Sequence, residues 1–372
     1  MHWGTKIGNG FSGEIKLTER RNKMATKTKA VKLPVPSFFD SSKVGEVWRV
    51  KYQEVADKAS EWRARYNIKP AAIDSPRICL MPIDCQNTFC IKDFELFVGG
   101  RSGKGAVEDN VRLCDFIYRN LNIITEIDPT MDTHTAMQIF HRIFWVNEKG
   151  EYPQPYTPIS LDDVKSGKWK VNPAVAYSVA RGNYTGLQRH ALHYAQKLSD
   201  GGKYSLTVWP YHGMLGGIGH ALVSTMEEAI FFHNIARYSQ TGFEIKGGNP
   251  LTENYSVIKP EVIIDADGNP IAQKNARFIE KLLKFDAIVI AGQAKSHCVA
   301  WTIDDLLTEI LAQDASLAKK VYLLEDCTSP VVVPGVIDYT DQADAAFKRF
   351  ADAGMRVVNT ATPIEDWPGI EL

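Results

Sequence analysis

The feature that most constrains the fold is a rhythm of short apolar runs separated by segments of helical period. Strand-like runs are expected at Ile78–Ile83, Ile123–Ile127, Leu206–Trp209, Ala287–Ala291 and Val321–Leu324, with a short one near Val357. Between them, helical patterns are expected at Glu108–Leu121, Met226–Tyr238, Asn275–Leu283, Val299–Ala312 and Ala343–Ala353. Strands this apolar must be covered on both faces, so the alternation predicts a three-layer α/β/α fold with a mainly parallel central sheet.

A chain of 372 residues with 44% hydrophobic content can bury a large core, and one elaborated domain accommodates it. That domain is expected over 76–372, with an insertion at about 147–202 where Pro, Gly and Tyr break the rhythm around a helix near Leu187–Leu198. The insertion reads as a lid or an oligomer contact. Residues 1–75 form an N-terminal extension. Its first ~35 residues are polar and Lys/Arg-rich and are expected to be disordered, with Met24 as an alternative start. A helical pattern then follows from Val47 to Tyr66, expected to pack outside the core or on a neighbouring subunit.

Charge and composition exclude several classes of partner. With a net charge of −1 and no basic face beyond the N-terminal tail, nucleic acid is not an expected ligand. No stretch approaches the ~18 apolar residues of a membrane span, and the first residues lack the apolar core of a signal peptide, so a cytoplasmic protein is expected. Six cysteines without C-x-x-C spacing argue against disulfides there. Gly99-Gly-Arg-Ser-Gly-Lys104 is one residue short of a phosphate-binding loop, and Gly105 stands where Ser or Thr is needed.

The polar residues that interrupt the rhythm fall where strands end, which is where open α/β sheets gather ligands. Cys298 follows the run ending at Ala291 and precedes an amphipathic helix, whose free N–H groups favour thiolate and an oxyanion. Buried small cysteines are common in cores, so its company decides its role. Asp84, after Ile78–Ile83, is a candidate base for the thiol, and Lys246, before Gly247 and Gly248, is a cation that would favour thiolate. Asp132 and His134, with His141 and His212, form a carboxylate and imidazole set suited to Zn²⁺, Fe²⁺ or Mn²⁺. His190, His193, His220 and His233 read as structural, and His297 is expected to point away from its neighbour Cys298.

Five ordered motifs resemble a known family: Asp84-Cys-Gln-Asn-Thr-Phe-Cys90, Asp132-Thr-His134, Trp209-Pro-Tyr-His212, Phe243-Glu-Ile-Lys-Gly247 and Gly292-Gln-Ala-Lys-Ser-His-Cys-Val299. Over roughly residues 76 to 365 the chain resembles the isochorismatase-like cysteine hydrolases, most closely their nicotinamidase (pyrazinamidase) branch. The resemblance implies the isochorismatase-like hydrolase fold, a catalytic triad of Asp84, Lys246 and Cys298, and metal ligands Asp132, His134 and His212, with His141 a candidate fourth. It implies Phe89 and Trp209 as walls for a pyridine ring, and an oxyanion hole of the Ala294 and Cys298 N–H groups beside a cis Gln293–Ala294 bond. The activity implied is hydrolysis of nicotinamide to nicotinate and ammonia through a Cys thioester, with Zn²⁺ first among the metals. A homo-oligomer acting on a small amide is expected. The alternatives are a related carboxamide or ureido hydrolase, and a catalytically silent binding or assembly protein.

Overall fold

The computed structural model describes residues 32–372. The expectations for Met24 and for disorder of the N-terminal tail fall on residues outside these, apart from the last few; Leu33 is buried.

Five parallel strands form the central sheet, in the order Arg356–Val358, Val321–Leu324, Ala287–Gly292, Ile78–Ile83, Glu126–Ile127. The two central strands pair over their whole length, from Ile78 opposite Ala287 to Ile83 opposite Gly292. Successive side chains point to opposite faces, so each strand feeds two cores. Ile78, Leu80 and Val289 join one core with the helices Gly105–Arg119 and Ser224–Arg237. Cys79, Met81, Ile288 and Ile290 join the other with Ala276–Leu282, Ala300–Gln313 and Thr340–Asp352. The three-layer α/β/α architecture expected from the sequence is therefore the one observed.

One local feature, a strand, differs from expectation, and two helices outside the sheet are placed by their packing. Leu206–Thr207 does not join the central sheet; it pairs antiparallel with Pro158–Ile159, within the segment 147–202. The N-terminal helix, Tyr52–Tyr66, packs on the chain's own helix Ser224–Arg237, with Tyr52 5.0 Å from Phe231 and Trp62 6.3 Å from Phe232 between ring centroids. The insertion's helix, Tyr184–Asp200, buries Leu187, Ala191, Tyr194 and Leu198 in the first core. It also braces the loop after residue 248, since His190 Nε2 donates to Leu251 O at 2.8 Å and the Tyr194 hydroxyl accepts the Glu253 N–H at 3.3 Å.

A second parallel pair, Thr130–Asp132 with Glu244–Lys246, extends from the edge of the sheet and sets Asp132 opposite Lys246. At its base, buried Asp128 takes an ion pair from Lys281 at 2.6 Å and the Gly242 N–H at 3.0 Å, while Glu126 shares Lys281 at 2.7 Å. Burial, only partly offset by Lys281, pushes the Asp128 carboxyl up to about 6. A folded value above the unfolded one contributes stability below about pH 4 that is lost as pH rises through 6. Asp128→Asn should therefore gain on the wild type by on the order of 3 kcal/mol between pH 4 and pH 7. Denaturant unfolding across that range reads the difference; a constant offset between the two proteins would contradict the assignment.

Candidate active site

The chemical residues follow strands, some directly and some through a loop or turn. Asp84 follows Ile78–Ile83 with φ +47°, a left-handed conformation that Asp tolerates better than most residues. The neighbouring strand ends at Gly292, φ +106°, where a Cβ would stand 2.1 Å from Ile83 O, so only glycine lets the two strand ends pass. After it comes the cis Gln293–Ala294 bond. A single π-helical turn, Lys295–Val299, then carries Cys298 into Ala300–Gln313. The thiol thus sits one turn before the regular helix. The Ala294 N–H beside it has no acceptor among the described residues.

Lys246 gathers the site. Its ammonium donates to Asp132 Oδ1 at 2.9 Å, to Asn254 O at 3.0 Å and to Cys298 Sγ at 3.6 Å, and lies 2.9 Å from Asp84 Oδ2. The three expected catalytic residues therefore meet, all of them buried. Thr130, two residues before Asp132 and on the same face of its strand, donates its hydroxyl to Asp84 Oδ1 at 2.5 Å and accepts the Asp84 N–H at 3.1 Å. With Oδ1 so held, Oδ2 is the oxygen left for a proton: it has an ion pair but no aligned hydrogen bond.

Burial raises the Cys298 thiol well above its usual value; Lys246 opposes this, while Asp84 and Asp132 add to the rise. Desolvation and two carboxylates here oppose the thiolate that a nearby cation and helix end would favour. Burial raises Asp84 too, against Lys246, which makes it a stronger base. Burial alone would lower Lys246, yet Asp132, Asp84 and Cys298 hold its charge well above the usual lysine range.

Asp132, His134 and His212 bring one ligand atom each to within 4.8 Å of one another. His134 Nδ1 lies 3.2 Å from Gly247 O and His212 Nδ1 lies 2.7 Å from Pro210 O. Carbonyls only accept, so both Nδ1 atoms donate, and each ring turns its Nε2 toward Asp132 Oδ2, at 2.8 and 3.5 Å. Two imidazoles and one carboxylate gathered this closely form a donor set that suits Zn²⁺, Fe²⁺ or Mn²⁺. The residues fit a divalent metal. Gly247, φ +91°, keeps this corner open, since a Cβ would come within 2.8 Å of His134 Cε1. Gln86 clamps the Asp132 backbone, accepting its N–H at 2.7 Å and donating to its carbonyl at 2.9 Å. His141 stands beside the group, its ring centroid 5.9 Å from that of His134 and 6.3 Å from that of His212, with Nδ1 turned to Ala136 O. Burial pushes it down to about 3.

Cys298, Asp132 and His212 border a cavity walled by Phe89, Trp209 and Tyr255. Trp209 is fixed by donating its indole N–H to the Tyr255 hydroxyl at 2.8 Å. Two polar residues at the cavity are not among those picked from the sequence. Glu253, whose carboxyl burial pushes up to about 8, comes from an aperiodic loop with no motif to mark it. His297, expected to point away from Cys298, lines the same cavity, because a π turn spaces adjacent side chains more closely around the axis than an α turn. Thr130 was within reach of strand periodicity. His190 and His233 donate to backbone carbonyls and His220 pairs with Thr133, as structural histidines do.

No family model and no curated protein matches the chain. Among solved structures it is similar to a yeast nicotinamidase, 18% identical over 76% of this chain and 99% of that one, TM-score 0.46. It is similar also to a nicotinamidase/pyrazinamidase from Acinetobacter baumanii, at 16% identity over 77% and 98%, TM-score 0.43. A zinc-complexed pyrazinamidase of Pyrococcus horikoshii is 15% identical over 76% and 99%, TM-score 0.42. Likenesses of this size carry no part of the functional reading.

Chelator-treated protein should melt at a higher temperature on addition of Zn²⁺, by the equivalent of about 2.7 kcal/mol at a hundredfold excess over Kd. His212→Ala should lose that response. An equal upward shift in both proteins would place the metal elsewhere.

Proposed function

We propose that this chain is a metal-dependent cysteine amidohydrolase of the isochorismatase-like superfamily, with nicotinamide, hydrolysed to nicotinate and ammonia, as its substrate. The observation that carries the reading is the meeting of Asp84, Lys246 and Cys298 at one wall of a small aromatic cavity.

In this reading Asp84 Oδ2 takes the Cys298 proton as the amide arrives, and the Lys246 ammonium steadies the thiolate. Sulfur adds to the carbonyl carbon, and the Ala294 N–H, with that of Cys298, receives the oxyanion. Asp84 passes its proton to the nitrogen, the C–N bond breaks and ammonia leaves a thioester. Water, deprotonated by Asp84, then adds to the thioester and releases the acid and the thiol. Phe89 and Trp209 hold the ring. Asp132, His134 and His212 would hold the metal, which supplies a Lewis-acidic anchor for a ring lone pair.

A related carboxamide or ureido substrate would use the same triad. Glu253 favours that second reading, because it adds a carboxyl group to a cavity walled largely by aromatic and aliphatic side chains.

Ammonia release from nicotinamide by metal-loaded protein should be readily measured and should vanish in Cys298→Ala. Asp84→Asn should lose roughly 10²- to 10⁴-fold in kcat. Ammonia release that persists in Cys298→Ala would sink the covalent route, and release confined to other amides would move the substrate while keeping the chemistry.

A further inference from the structure

The glycine-rich stretch Gly99-Gly-Arg-Ser-Gly-Lys104 has no phosphate to bind, yet with Gly105 it shapes a socket. The Gly105 N–H closes the stretch by donating to Gly99 O at 2.7 Å. A Cβ on Gly105 would stand 2.5 Å from Ser329 Oγ and 2.7 Å from Ser329 Cβ, so glycine is what lets the loop at Ser329 seat on the first turn of the helix Gly105–Arg119. Asp109 stands one turn further along the same face of that helix.

Asp109 reaches the turn that bears the nucleophile through Gln293, which is buried and held at three points. Its backbone N–H donates to Ile83 O at 2.7 Å, its Nε2 donates to Asp109 Oδ2 at 2.9 Å, and its Oε1 accepts the Ser329 N–H at 3.3 Å. Asp109, buried as well, gives its other oxygen to Arg112, which donates to Oδ1 at 2.8 Å. On the far side of Ala294, the Lys295 N–H donates to Ser329 O at 2.8 Å. The amide between these two fixed residues is that of Ala294, whose N–H has no acceptor among the described residues. An oxyanion donor works by being aimed before the reaction begins, so whatever holds residues 293 and 295 aims that N–H.

We propose that Asp109 and Gln293 are positioning residues: the Asp109 carboxylate orients the Gln293 amide, and through it holds the Ala294 N–H where the tetrahedral oxygen forms. The glycine-rich stretch seats the Ser329 loop that completes this clamp. The inference rests on the amidohydrolase reading above.

Gln293→Glu sets two carboxylates against each other, and adding Asp109→Asn restores a donor–acceptor pair in the reverse direction. Three quantities are measured. The first is kcat and KM for nicotinamide. The second is affinity for pyridine-3-carboxaldehyde, where Cys298 sulfur bonds to the carbonyl carbon, the thiol proton passes to Asp84 and the carbonyl oxygen becomes an oxyanion. The third is calorimetric affinity for nicotinamide in proteins that also carry Cys298→Ala. Gln293→Glu should lower kcat and weaken the aldehyde roughly tenfold or more, part of the ~10²- to 10³-fold cost of deleting an oxyanion donor, with KM and amide binding within about twofold. The double variant should recover most of the loss. Asp109→Asn alone should show the same split at about threefold, and decides the matter if Gln293→Glu does not fold. If nicotinamide is not turned over but the aldehyde weakens in Gln293→Glu and recovers in the double variant, the substrate reading fails and the clamp stands. If turnover is present and Gln293→Glu weakens aldehyde and amide alike, or changes neither, or the double variant recovers nothing, the clamp is overturned and the activity reading stands. A wild type with neither turnover nor aldehyde binding overturns both.

Discussion

One carboxylate serves two groups. Asp132 turns Oδ2 to the imidazoles of His134 and His212 and Oδ1 to the ammonium of Lys246, which in turn faces Asp84 and Cys298. The metal group and the thiol group are therefore ends of one electrostatic chain, and neither can be moved alone. The arrangement rests on strand register, with Asp132 directly opposite Lys246. A slip of one residue would turn either side chain to the other face and leave a buried charge unpaired.

Backbone irregularity at the strand ends does the rest of the positioning. Asp84 turns into the site at positive φ, Gly292 lets its strand pass Ile83, and the π turn carries Cys298 and His297 to the same cavity. The regular parts of the chain keep these irregular parts in place. Two apolar cores grip opposite faces of the sheet, and the insertion's helix holds the loop bearing Glu253 and Asn254, whose carbonyl is one of the acceptors of Lys246. Desolvation and the two nearby carboxylates favour the protonated form of Cys298, against the pull of Lys246.

Much of this was legible in the chain, and the parts that were not share a cause. Apolar runs such as Ile78–Ile83 and Val321–Leu324 announce buried strands because their period is intrinsic to the backbone. Asp84, Asp132, His134, His212, Lys246 and Cys298 stood out because polar residues directly after such runs are rare without a use. Leu206–Thr207 was misplaced because a short apolar run looks the same whichever partner strand it finds. Glu253 sits in a loop without period, and His297 follows the geometry of a turn that local sequence does not specify.

By itself the sequence determined the layers, the order of the elements and the set of reactive side chains, since hydrophobic period and residue type are local properties. Only the tertiary structure decided that Asp132 would be shared between two imidazoles and an ammonium, that burial would raise the Cys298 thiol, and that His297 Nε2 would be buried without a hydrogen-bond partner among the described residues. Those outcomes depend on burial and on distances between residues far apart in the chain, such as Asp132 and Lys246, 114 positions from one another, and such quantities exist only once the chain has closed on itself.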